Sequence, residues 1–527
     1  MPGLLIGGPL VALWAEAFRT PQAWQVWLEA ERLAGLAGRT LLLAVGVVGV
    51  VLPVAAPLGF LLFRTDVPGR RLLLLVTLLV LVTPLTLQAA GWFMVWRQLG
   101  LPIRNEAGWR LAAAVALHAA AALPLAVILC GLGFRWVEPE LEEETLLAGS
   151  PWLVLRHVTW PRSRWARGLT ALVVALSVVN EIVITDLLAV RTWAEEVYVE
   201  FNSGSAAAAR AVAACLPPAL LLALLGLGAL ARLRRRQPGR LGWQRPALTW
   251  SLGGWRWPAL GLALFLLGLP LAIPVVGLAG KAGATVAGWS ATTLGSRLWE
   301  QARRSGWIIG DSLLLALLVG LCVAGSAKLF LWWARGNRQR GRWLWSLAWL
   351  LWAIPGPLLG LALLQFTLWL LATPVGPWLR PALWDGPSLL PNLWVQWLRF
   401  LPLGLVFLMP SAAMVPQSWD EEAVLCGARG WSRFWLALGR PLLPAAGATA
   451  AVVALLSLGE LSASKLVTTP GFLPLAQLVF MQMHAAADAE VASLALLLLG
   501  CIVALGVPLL GLPILRRASR ASSSAAP

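Results

Sequence analysis

Charge is what this chain has least of: Asp, Glu, Lys and Arg together supply only 12% of its 527 residues. With 59% hydrophobic residues and so little charge to clothe a surface, a water-soluble globular protein is excluded. Acid is scarcer than base, 24 residues against 41, leaving a formal net charge of +17. The five cysteines, Cys130, Cys215, Cys322, Cys426 and Cys501, stand far apart with no CxxC pair, so a disulfide scaffold or thiolate metal site has no basis. Three scattered histidines offer no ligand set either. No HExxH, no GxSxG and no shared loop of Asp, Glu and His occurs. The nearest approach to a phosphate loop, GLAGKAG around Lys281, lacks the first Gly and a Ser or Thr after the Lys. The chain is therefore expected to be no catalyst and to hold no cofactor or metal. Energy for any work must come from a partner or an ion gradient.

What is present is long apolar sequence, with a mean hydropathy of +0.77. Backbone polar groups cannot go unpaired in lipid, so continuous apolar runs predict helices, and their lack of alternation argues against a barrel. The fold class expected is all-α, a polytopic transmembrane bundle. Spans are predicted at about 40–63, 72–96, 110–134, 168–190, 209–231, 257–279, 309–334, 343–371, 398–414, 443–463 and 491–515. Residues 1–17 read as a shortened first helix without the basic start and cleavage site of a signal peptide. The basicity invites a nucleic-acid reading, but the arginines lie between spans, where topology accounts for them. The 32 tryptophans near span ends read as interfacial anchors.

The chain repeats itself. Thr40-Leu-Leu-Leu answers Ser312-Leu-Leu-Leu, Phe63-Arg64 answers Ala334-Arg335, Pro84 answers Pro355, and Glu181 in ALSVVNE answers Glu460 in ALLSLGE. Two halves follow, 1–231 and 257–527, joined by a basic linker over 232–256. Six spans per half return the chain to its starting side, so the repeats are parallel. The loops 64–71, 135–167, 232–257, 335–342, 420–441 and 516–520 hold 25 basic residues and the alternate loops 15, which places the first set in the cytoplasm.

Two of those loops stand apart, Leu141–Pro161 and Asp420–Pro441. Each starts with acids (Glu142, Glu143, Glu144; Asp420, Glu421, Glu422), suited to the positive end of a helix dipole. Small residues follow (Ala148, Gly149, Ser150; Gly427, Ala428), then an aromatic amphipathic segment and a closing proline, Pro161 or Pro441. The pattern predicts two short helices joined by a bend, a knob standing out of the membrane in each half. These stretches resemble the EAA loop of permeases of ATP-binding-cassette importers, a Glu-Ala-Ala followed by Gly at the seventh place and a later Pro. Glu421, Glu422, Ala423 and Gly427 fit it, with Pro441 one place late. In the first copy Glu143 leads to Gly149 with Pro161 one place early, or Glu142 leads to Ala148 in register.

The resemblance extends to Arg39–Arg71 and Gly459–Leu497, which look like iron(III)-type members, although thiamine, sulfate, molybdate and polyamine permeases share the architecture. It implies a type I importer permease in the bacterial inner membrane. It further implies that the knobs seat in a dimer of ATPase subunits, which bind the ATP, and that an extracytoplasmic binding protein delivers the substrate.

Glu181 and Glu460, in the fifth span of each half, read as lining a translocation path, as making a helix-to-helix hydrogen bond, or as protonated, interior-facing acids. Asp186 and Lys465 lie further out and read as interfacial, His118 as a packed neutral imidazole, and Arg429 and Arg433 as partner-pairing or solvated. A competing reading comes from Asp66-Val-Pro-Gly-Arg-Arg71, which matches part of the loop motif of major facilitator carriers, also twelve-span proteins driven by ion gradients. That reading leaves the two knobs unexplained. A polytopic transferase would need an acidic cluster on a large outer loop, and the outer loops are short.

Overall fold

A computed structural model describes residues 2–101, 106–202, 207–234, 248–485 and 488–511. Its first half begins with α1 (Pro2–Arg19), α2 (Ala30–Arg64), α3 (Arg70–Val82), α4 (Leu85–Gln98) and α5 (Ala107–Arg135). Short helices α6 (Pro139–Ala148), α7 (Pro151–Val154) and α8 (Trp160–Arg162) follow, then α9 (Arg164–Val179), α10 (Val183–Leu187), α11 (Trp193–Phe201) and α12 (Ala207–Arg234). The second half has α13 (Arg256–Ala282), a two-stranded turn of β1 (Ala284–Thr285) and β2 (Gly288–Trp289), α14 (Ala291–Arg304), α15 (Gly306–Ala334), α16 (Arg338–Ala353), α17 (Gly356–Leu371) and α18 (Gly376–Arg380). It ends with α19 (Leu390–Met414), α20 (Ser418–Leu425), α21 (Gly430–Phe434), α22 (Leu443–Ser457), α23 (Leu475–His484) and α24 (Asp488–Gly506). The chain is a helical, multi-pass membrane protein.

Among the described residues seven helices are long and apolar enough to cross a membrane, or up to ten segments if each bent pair counts as one. The eleven uninterrupted runs expected from hydropathy reduce to this number because several are broken. The run at 72–96 bends by 94° between α3 and α4, and the run at 343–371 by 104° between α16 and α17. Pro84 and Pro355 cause both. Proline drives its predecessor out of the helical region, and Thr83 (ψ 122°) and Ile354 (ψ 124°) are both extended. The prolines themselves have nearly the same backbone, ψ 142° in each. The runs at 168–190 and 443–463 also stop early, at Val179 and Ser457.

The helices form two compact units that do not follow the chain in order. One unit holds Met1–Leu33, Trp193–Ala223 and Ala279–Leu512; the other holds Ala34–Thr192 and Leu224–Leu278. The first helix of each half thus packs in the unit built mainly by the opposite half. In the first unit α1 lies along α17, where a Cβ on Gly8 would fall 2.4 Å from the Phe366 ring. Trp394 Nε1 also donates to the Leu5 carbonyl there, at 2.9 Å. In the other unit α13 lies along α4: a Cβ on Gly91 would sit 2.2 Å from Pro274 Cα, and one on Gly277 2.4 Å from the Gly91 carbonyl. Backbones in lipid approach this closely only over glycine.

Charged side chains hold irregular segments in place. Arg32 bridges Glu29, Glu196 and Glu200, and Arg210 reaches Glu200 and Glu29, which fixes α11 and Arg210 against the start of α2. In the other unit Asp66 accepts hydrogen bonds from Leu252 N (2.8 Å) and Ser251 Oγ (3.3 Å), anchoring the end of the basic linker. Residues 235–247 of that linker and the basic cluster at 516–520 lie outside the described residues.

Candidate docking site

Each knob is a pair of short helices, built on one plan with different chemistry. In the first, α6 starts at Pro139 with Glu140 and Glu142 in its opening turn. Of its acids Glu142 is buried, while Glu143 and Glu144 are exposed. Arg64, the last residue of α2 and fully buried, places Nη2 2.5 Å from Glu142 Oε2. Thr159 Oγ1 donates to the other carboxylate oxygen at 2.6 Å, and Arg64 also donates to the carbonyls of Phe134 and Leu248. A buried charge requires such complete pairing. Glu142 therefore joins the span α2 to both helices of the knob.

In the second knob Asp420 takes the equivalent place, and its partner is Arg433 from the knob's own second helix, with Nε 3.0 Å and Nη2 2.5 Å from the carboxylate. The Arg433 hydrogen bonds hold the Asp420 carboxyl below its ordinary range against the opposing effect of burial. Arg335, which answers Arg64, donates to the Val415 and Pro416 carbonyls at the base of this knob. Glu421 and Glu422 are exposed and Ala423 is buried. Arg433 is thereby a structural residue of the knob, and Arg429 stands exposed at its bend.

The bends differ. Gly427 has φ +78°, a left-handed conformation open to glycine, and Ala428 N closes the helix end on the Ala423 carbonyl at 2.9 Å. Gly430, absent from the family pattern, has φ +50°. In the first knob Ala148 is the last helical residue and Gly149 is extended (φ −172°), so the turn there does not need a glycine backbone. After each bend the helix passes its proline through one wide turn. Trp160 N bonds to the Leu155 carbonyl and Arg440 N to the Trp435 carbonyl, five residues back. Proline has no N–H to continue the normal ladder, and the register slips to accommodate it. Pro161 is followed within three residues by α9. The second copy, with Pro441 and also Pro444, bends by 82° before α22.

The two tips present matching apolar side chains. Leu147 is 92% exposed and Leu425, at the equivalent place, 87%. Beside them Leu146 and Trp152 answer Val424 and Trp431, all exposed. Large apolar groups are thus open at the same place in each copy.

Glu181 and Glu460 occupy the same position in the two halves, each directly after a broken helix. Glu181 accepts from Val183 N (2.5 Å) and Ile184 N (3.0 Å); Glu460 accepts from Ala463 N (3.0 Å) and Ser464 N (3.2 Å). Both carboxylates cap the short turn that follows them. Around Glu460 the Ser464 hydroxyl adds a third donor at 2.6 Å, and Gln396 ties Ser464 to Ser457. Around Glu181 the additional neighbour is His118, which is buried as expected. Lys465 lies exposed between the rings of Tyr198 and Phe480, 4.9 and 5.0 Å from their centres. Asp186 is half-buried on α10.

A cavity of about 300 Å³ lies within one unit, lined by Phe201, Thr367, Trp384, Thr468 and Thr469 among others. Among the described residues no group of three or more His, Cys, Asp or Glu could hold a metal ion. No protein-family model matches the chain, and neither a curated protein nor a solved structure matches it.

Proposed function

We propose that the chain is the membrane permease of an ATP-binding-cassette importer, with both halves fused in one polypeptide. The observation that carries this reading is the pair of knobs whose tips expose Leu147 and Leu425 at equivalent places. A carrier driven by an ion gradient needs no such projections, and Asp66, the acid of its loop motif, is engaged here in anchoring residues 251 and 252. In this reading the knobs seat in the two sockets of an ATPase dimer on the cytoplasmic face of a bacterial inner membrane. A binding protein delivers substrate, iron(III) by the family resemblance, to the opposite face. Closure of the ATPase dimer on ATP moves the knobs, and through α9 and α22 the two halves expose a path alternately to each side. Glu181 and Glu460 border that path in the proposal, and Glu460→Gln slows uptake while the chain still inserts.

The test is reconstitution in vesicles with a candidate ATPase and binding protein. Leu147→Asp with Leu425→Asp changes only exposed side chains, so the chain folds, but it no longer retains the ATPase or takes up substrate. Substrate moving down a proton gradient with no ATPase present overturns the proposal.

A further inference from the structure

We infer that His118 and Glu181 form a proton-binding site inside the first half, a pair that holds one exchangeable proton and carries no net charge while it does so. The inference is independent of the ATPase reading and rests on counting donors. His118 Nδ1 lies 2.8 Å from the Ala114 carbonyl. A carbonyl only accepts, so Nδ1 carries a hydrogen. The other ring nitrogen, Nε2, lies 3.1 Å from Glu181 Oε2. A neutral imidazole with its hydrogen on Nδ1 has only a lone pair at Nε2, and a lone pair does not sit against a carboxylate oxygen at that distance. One more proton must lie between the two atoms, either as imidazolium beside carboxylate or as neutral imidazole beside carboxylic acid. In both forms the pair is neutral overall.

Nothing nearby offers a substitute. Over residues 40–63, 72–96, 111–134 and 168–179, which form the helices around the pair, the only titratable side chains are His118 and Cys130. The Cys130 thiol is engaged with Thr170. The short helix α10 adds Asp186, half-buried and with interactions of its own. The arginines of the packed helices stand at helix ends, Arg70, Arg71, Arg97, Arg164 and Arg167 among them. Glu460, the counterpart of Glu181 in the second half, receives three donors instead, Ala463 N, Ser464 N and Ser464 Oγ.

The consequence is a proton-linked clasp. While the proton is present, α5 is joined to the turn at 181–187.

Histidine-specific ¹⁵N NMR on the full chain in lipid nanodiscs reads this directly. The chain has three histidines, and His157 and His484 are exposed, so His157→Gln with His484→Gln leaves His118 alone. The expected result at neutral pH is one of two signatures. Either both ring nitrogens of His118 are protonated, or Nδ1 alone is protonated and infrared spectra show a carboxylic-acid stretch that Glu181→Gln removes. Glutamate-specific ¹³C labelling reports the same carboxyl should Glu181→Gln fail to fold. A neutral His118 with no protonated glutamate overturns the inference, and so does a His118 whose single hydrogen is on Nε2.

Discussion

Replacing Glu142 by Gln tests how much of the first knob depends on one buried ion pair. Arg64 and Glu142 are both fully enclosed, so removing the carboxylate's charge strands a guanidinium with no solvent to receive it. Breaking one side of such a pair costs about 3–5 kcal/mol. The carbonyls of Phe134 and Leu248 still accept from Arg64 and return part of that, so the lower end, about 3 kcal/mol, is expected. Glu421, exposed on the other knob, supplies the control: Glu421→Gln changes a solvated charge and stays within about 0.5 kcal/mol. Thermal unfolding in one detergent, with proteolysis at residues 139–162 as a local readout, compares the two. A second comparison isolates the cause. Arg64→Met added to Glu142→Gln recovers stability, because neither charge is then left alone. Equal stability of wild type and Glu142→Gln, or a double variant weaker than the single by a further full increment, would refute the assignment of this pair as the knob's anchor.

Gly427→Ala costs about 1–2 kcal/mol from its left-handed backbone alone, since the new Cβ meets open space. Gly149→Ala, which meets only the mobile end of Leu153, costs about 0.5 kcal/mol or less, and unfolding measurements that invert this order count against the turn geometry. Because Arg433 depresses the Asp420 carboxyl, its stabilising effect is complete above the ordinary Asp range, about pH 4, and fades as pH falls through the lower folded value. Amide exchange over 430–434 should therefore speed up, relative to the unfolded rate, only at acid pH, and Asp420→Asn should show the loosened rate throughout. Gly91→Leu drives a side chain into the backbone at Pro274, and overpacking of about 1–3 kcal/mol should weaken the docking of α13, read as cross-linking lost between cysteines placed on α4 and α13.

The spans were legible because apolar runs of twenty or more residues leave a chain few alternatives in lipid. Their breaks were legible in principle at Pro84 and Pro355, yet hydropathy averages across a proline and reports one span where two helices meet at a right angle. The knobs announced themselves by acid in an apolar chain, but which acid is buried did not: Glu142, Glu143 and Glu144 look alike until Arg64, seventy-eight residues earlier, selects one. Glu181 and Glu460 read as mid-span charges because the preceding helix shows no polar end; Asn180 and Gly459, directly before them, were the available signs of a stop. The exchange of first helices between units left no mark at all. Periodicity tells which face of a helix is buried and is silent about which bundle buries it.

The duplication separates what the architecture requires from what each half was free to change. Both copies keep a proline with nearly the same backbone angles at the bent span, a glutamate capping the turn after α9 or α22, a wide turn ahead of the knob's proline, and a leucine exposed at the tip. Each of these fixes a direction of the chain or a point of contact. Around them the partners differ: Arg64 against Arg433 for the knob's acid, His118 against Ser464 for the capping glutamate. Those substitutions keep each of these acids supplied with partners by different means. Glu460 is satisfied by two backbone amides and a serine hydroxyl, Glu181 by two backbone amides and an imidazole.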